Sequence, residues 1–233
     1  EEESASGNIT ITNVGDVESV LDYSLSTSPF STTSGSDSFG NVWTDSNSND
    51  DYDYNWVDIS DLGSLYSFPS NDNAGESVSI SFDFPFYGEN YNSLIVNPNG
   101  WVGFGDDNEA WDNTNIPSSS APRPAIFGLW DDLNPINENC NSYCSGNVYT
   151  HGNSDRFVVW FNEVAHWWTN FEDSYYDFQF VLYPNGQIDL NYNTLTGTHS
   201  ATVGMQDAGG NNGMQVASDQ AYLHDGLSLK FSQ

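Results

Sequence analysis

Basic residues are almost absent: three of the 233 are Lys or Arg, against 33 Asp or Glu, for a formal charge of −30. A chain so acidic repels the phosphates of nucleic acid and the anionic face of a membrane, which excludes both as partners. It favours divalent cations, or a saline setting in which screening weakens its self-repulsion. No run approaches the roughly 20 apolar residues that a membrane-spanning helix needs. Nucleophilic and metal-binding groups are few as well: two cysteines, Cys140 and Cys144, and four histidines, His151, His166, His199 and His224. There is no G-x-S-x-G elbow, no HExxH pair and no Cys/His cluster, so serine-hydrolase and zinc chemistry have no foothold. The histidines read as surface or loop residues. With so many acids, a carboxylate pair at glycosidase separation arises by chance anywhere and identifies nothing. The expectation is a protein that is not an enzyme. Capped stretches with a 3.6-residue apolar period are also missing, which predicts very little helix.

Aromatic residues are plentiful, at 15% of the chain, and they fall in strand-like patterns. In Ser77–Phe104, the residues Val78, Ile80, Phe82, Phe84 and Phe86 alternate with Ser79, Ser81, Asp83 and Pro85. A period of two puts the apolar set on one face of a strand. Leu94–Val96 then runs through Asn97-Pro98-Asn99-Gly100 into Trp101–Phe104, a hairpin whose turn residues tolerate positive φ. A second hairpin follows the same design, with Tyr176–Tyr183 turning at Pro184-Asn185-Gly186 into Gln187–Tyr192. Arg156–Asn162 is apolar on both faces, as a central strand covered on each side would be. Ala125–Leu133, Ala201–Gln206, Gly213–Val216 and Leu227–Phe231 supply further strands. The fold class is all-β, an antiparallel sandwich of jelly-roll or Ig-like type with an N-terminal two-stranded extension.

Three regions are expected. Residues 1–30 carry two strands, Asn8–Thr12 and Val20–Leu25, after an acidic start that lacks Met and any signal-like segment and so reads as a processed N-terminus. Two strands alone are marginal in water and leave open edges. Ile9 and Ile11 on one face, with Thr10 and Thr12 on the other, could therefore complete their own domain or extend a neighbour's sheet. Residues 31–54 are a run of Ser, Asp, Asn, Gly and Thr, read as a connector. Residues 55–233 form the sandwich.

Candidate sites are of three kinds. Asp106-Asp107 and Asp131-Asp132 place paired oxygen ligands near strand ends, which suits Ca²⁺, although solvated turns, with one Asp bonding its own backbone, explain them without a metal. Asp51, Asp53 and Asn55 do not form an EF-hand, because Trp56 stands where Gly is required. Cys140 and Cys144 are spaced for a local disulfide that would pin one loop, with an effect of about 2 kcal/mol. Trp111, Trp167 and Trp168 lie in or beside loops, where flat rings could stack on a glycan or cover a sheet edge.

Taken in order, several stretches resemble one family. They are FPFYG at Phe84–Gly88, NPNGWVGFG at Asn97–Gly105, Ile116-Pro117, GLWDDLNP at Gly128–Pro135, DRFVVWFNEV at Asp155–Val164, FQFVLYPNGQIDLNY at Phe178–Tyr192 and ATVGMQ at Ala201–Gln206. Together they resemble the nidogen-like extracellular domain and its bacterial relatives in secreted multidomain proteins, including modules appended to secreted proteases. The resemblance covers about residues 55–233. It implies a non-catalytic, extracellular β-sandwich used for attachment or assembly, and it carries over no catalytic residue. The expected role is a secreted or cell-surface structural or adhesive module that associates with itself or with another extracellular protein. Its alternatives are an accessory domain of a secreted protease and a calcium-dependent glycan-binding domain.

Overall fold

The computed structural model describes residues 34–47, 52–107, 109–135, 144–167, 174–197 and 199–233. Among them there are fifteen strands and no helix. In chain order these are β1 (Ser34–Ser36), β2 (Val42–Asp45), β3 (Ser64–Tyr66), β4 (Val78–Phe86) and β5 (Glu89–Asn97). Next come β6 (Trp101–Gly103), β7 (Ala125–Trp130), β8 (Leu133–Asn134), β9 (Asn147–Gly152) and β10 (Phe157–His166). The last five are β11 (Tyr175–Leu182), β12 (Ile188–Thr196), β13 (Thr202–Gln206), β14 (Gly213–Ser218) and β15 (Leu227–Ser232). They form two antiparallel sheets. The nine-stranded sheet runs β1-β2-β15-β12-β11-β10-β9-β3, with β8 pairing the far end of β10. The six-stranded sheet runs β14-β13-β7-β6-β5-β4. The expected β-sandwich is what the chain builds.

Alternation decides what lies between the sheets. Phe84, Leu94, Val102, Ile126 and Leu129 from the small sheet share one apolar core with Phe157, Val159, Phe161, Phe178, Phe180, Leu190 and Leu229 from the large one. Burying each such side chain contributes about 1.5–3 kcal/mol, which makes this layer the main source of stability. The intervening residues face outward and are covered too. On the large sheet, Val158 and Val181 pack against Val57 and Ile59. Residues 55–62 thus form a cover rather than a strand, held by Val57 N–H donating to Gln179 Oε1 (2.9 Å) and by Asn191 Nδ2–H donating to the Asn55 carbonyl (2.9 Å). On the small sheet, Trp101, Phe127 and Trp130 pack beneath the long loop through Ile116 and Ala121.

Both Pro-Asn-Gly turns form as the sequence predicts, with Gly100 and Gly186 at φ of 78° and 86°. A difference arises in residues 31–54. Within that Ser/Asn-rich connector, β2 pairs with β15 and β1 pairs with β2, extending the large sheet. One inward residue explains it: Trp43 is buried and meets Tyr222 edge-on at 6.3 Å. Asp45, also buried, accepts the Tyr222 hydroxyl. A single Trp among small polar residues is enough to seat a strand, and period-two counting does not register it. The strand pair expected within residues 8–30, with Ile9, Thr10, Ile11 and Thr12, lies outside the described residues.

Candidate contact site at the hairpin end of the sandwich

The turn at Asn97–Gly100 organises one end of the molecule. Asn97 and Asn99 are both fully buried, and a buried amide must have partners. Asn99 N–H donates to Asn97 Oδ1 (2.9 Å), which closes the turn. Asn97 Nδ2–H donates to the Asp72 carbonyl at 2.9 Å, and Asn99 Nδ2–H reaches the Asn71 carbonyl at 3.5 Å. On its other side, Asn99 Oδ1 accepts Leu133 N–H (2.9 Å), and the Asn99 carbonyl accepts Asp131 N–H (3.3 Å). Gly100 lies flat on β7, its carbonyl accepting Gly128 N–H and Leu129 N–H at 3.1 and 3.0 Å. A Cβ there would sit 1.9 Å from the Leu129 carbonyl oxygen. The hairpin thereby fixes Asn71–Asp72 and Asp131–Leu133 relative to each other.

Two further anchors complete the site. The indole N–H groups of buried Trp101 and Trp130 both donate to the Ala110 carbonyl, each at 3.0 Å. This double clamp holds the long loop at the residue before Trp111, whose side chain stays 48% exposed. Asn113 Nδ2–H fastens the same loop to the Ser200 carbonyl (2.6 Å). Trp167 follows the end of β10, and its N–H donates to the Asp132 carbonyl (2.7 Å). Asn71, Asp72, Trp111, Asp132 and Trp167 then line one cleft of about 210 Å³.

Beneath the cleft lies a buried polar cluster. Asp131 accepts Ser200 N–H at 2.8 Å and Asp132 N–H at 3.0 Å, and its Oδ1 lies 3.6 Å from His166 Nε2. Burial alone would raise the Asp131 carboxyl, but the bond and charge of His166 together with the two amides hold it below the usual range. The same pairing with Asp131 raises His166, against burial that would lower it. His166 Nδ1 is also engaged, 2.7 Å from the Trp167 carbonyl. Nearby His199 is lowered by burial and stacks edge-on to Tyr176 at 5.9 Å. Asp132 differs from its neighbour. Burial pushes it up to about 6, with repulsion from Asp72, Asp131 and Asp112 adding to the shift. Burial and Glu109 raise Asp72 as well.

The sequence candidates sort as follows. Asp132, Trp111 and Trp167, drawn from two different chemistries, meet in this one cleft, with Asp131 just below. Asp106 and Asp107 do not join them: Asp107 Oδ2 accepts Arg123 N–H (2.9 Å), and Asp106 borders a separate hollow of about 730 Å³ beside Phe68, Leu94 and Phe104. Among the described residues, no three His, Cys, Asp or Glu side chains gather as a metal ion would require. Cys144 is buried, whereas Cys140 and Trp168 lie outside the described residues. His166 corrects the reading of the histidines as surface or loop groups, since it ends β10 and pairs with Asp131. Asn71 and Asp72 carried no signal in the sequence. They reach the site only through buried Asn97 and Asn99, some 25 residues further on.

The model of the family described as NIDO related matches residues 46–227. No curated protein and no solved structure matches the chain.

Proposed function

The chain belongs to the NIDO-related family, a family of extracellular modules, and on that basis we propose that it is a non-catalytic contact module that holds another molecule at the Trp111–Trp167 cleft. One observation carries the reading. Three distant stretches are fastened by buried side chains so that two indoles and two carboxylates converge, and Trp111 is the one tryptophan of the exposed class among the described residues. Holding the large aromatic face of Trp111 toward water costs free energy unless a partner covers it. His166 does not supply a proton-transfer group at the same place. Both ring nitrogens of His166 are engaged, by Asp131 and by the Trp167 carbonyl, so its imidazole is not a free base.

The test compares retention of the native chain and of Trp111→Ala on extracellular matrix from the producing cells. Loss of an anchoring aromatic should cut retention about tenfold or more. The melting temperature should change little, because about half of the Trp111 surface already faces solvent. Equal retention of the two proteins would reject the cleft as the contact site.

Self-association by strand addition is the second reading, and a different observation favours it. Strand β3 is an outer strand of the large sheet, and Leu62 just before it and Leu65 within it are 60% and 59% exposed. An open edge flanked by exposed leucines suits an added strand. Deleting residues 1–13, or replacing Leu65 with Lys, should each reduce the assembly state by light scattering. A species unchanged by both would dismiss this reading.

A further inference from the structure

We propose that the cleft takes the ammonium or guanidinium head of a basic side chain presented by a partner protein, with the Trp111 and Trp167 indoles as walls and Asp72 and Asp132 as counter-charges. This rests on the reading of the cleft as the contact site, and goes beyond it by naming the chemistry bound.

The carboxylates of the cleft differ from the one beneath it. Asp131, just below, is satisfied by two amides and His166. Asp72 and Asp132 are half-buried, and among the described residues neither carboxylate accepts a hydrogen bond. Partly desolvated anions without donors are unfavourable until a cation arrives. Their upward shifts report that cost. The cleft also lacks a counter-charge. The chain has only three strongly basic side chains, Arg123, Arg156 and Lys230, and none lines the cleft. Glu109 and Asp112 add further negative potential, opposed only by His166, which is already paired. The walls suit a cation as well. An indole face attracts a cation and strengthens that attraction when water is excluded. A neutral sugar would use the same faces but leave the two carboxylates uncompensated. A bare divalent ion would use the carboxylates and leave the faces idle.

The experiment follows the indole N–H signals of Trp111 and Trp167 by NMR in the whole chain. The probes are N-acetyl-arginine methylamide, N-acetyl-lysine methylamide, the neutral N-acetyl-norleucine methylamide, methyl glucoside and calcium chloride. Both cationic amides should move both signals saturably, and the norleucine compound should not. Asp132→Asn should weaken the response about tenfold, whereas Asp106→Asn, outside the cleft, should leave it unchanged. Equal response to norleucine or to the glucoside would overturn the proposal, as would a response to calcium alone or an unchanged response in Asp132→Asn. If Trp111→Ala abolishes matrix retention while these amides do not bind, the contact site stands and its cationic ligand falls. If retention survives Trp111→Ala, the site itself falls.

Discussion

Replacing Asp132 with Asn should stabilise the folded chain, and only at a pH where the carboxylate is charged. The folded carboxyl sits at about 6 against an ordinary 3.8, because burial and the neighbouring Asp72, Asp131 and Asp112 resist its ionisation. At 1.36 kcal/mol per pH unit, that difference would correspond to about 3 kcal/mol for a fully shielded group. Asp132 is only partly buried, and solvent screening reduces the figure to about 1 kcal/mol. The sign follows from proton linkage. A raised folded value means that the native state binds the proton more tightly, so this contribution favours folding below about pH 4 and is lost as pH rises through about 6. Above that pH the charged Asp132 destabilises the fold, and the amide removes the burden. Thermal unfolding near pH 7.5 should therefore show Asp132→Asn about 2–4 °C above the parent. Near pH 4 most of the gain should vanish. A gain of equal size at both pH values would assign the effect to packing. A loss at pH 7.5 would show that the carboxylate is satisfied in the free protein and would refute the reasoning.

Two further outcomes follow from the same end of the sandwich. Gly100→Ala should destabilise by about 3 kcal/mol or more, since its φ of 78° disfavours a side chain and its Cβ would overlap the Leu129 carbonyl; urea unfolding measures this, and a change below about 1 kcal/mol would contradict the packing described. Histidine titration by NMR should place His166 above the ordinary 6.5 and His199 below it. The stability that His166 lends is fully present below about pH 6.5 and disappears as pH rises through its higher folded value, whereas that from Asp131 is present above about pH 4 and disappears as pH falls. The reverse order of the two histidines would break the Asp131–His166 pair.

Much of the fold is legible from residue order because its strongest signals are local. Phe84 and Phe86 are buried where period two puts them, and the two Pro-Asn-Gly turns need nothing beyond neighbouring residues. Arg156–Asn162 likewise shows its central position, with Phe157, Val159 and Phe161 in one core and Val158 in another. What covers Val158 is not legible, because Val57 and Ile59 dock through Gln179 across 122 residues rather than by strand pairing. The β1–β2 pair is hidden for a related reason, since its apolar signal is a single Trp43.

The cleft is legible only in fragments. Asp131 and Asp132 stand out as candidates for a cation, and Trp111 and Trp167 for a flat ligand face. Nothing local says that the four share one place. The two aspartates, adjacent and chemically identical in sequence, also part company. Asp131 turns inward to Ser200 and His166 and serves as support, while Asp132 lines the opening and its carboxylate accepts no hydrogen bond among the described residues. Asp72 belongs there because two buried asparagines grip the backbone of its turn. Long-range side-chain-to-backbone bonds leave no periodic trace.

The most direct measurement is a crystal structure of the chain grown with N-acetyl-arginine methylamide. A guanidinium between the Trp111 and Trp167 rings, paired to Asp132 or Asp72, is the expected result. An empty cleft with the compound seated on other acids of this highly negative surface would contradict it.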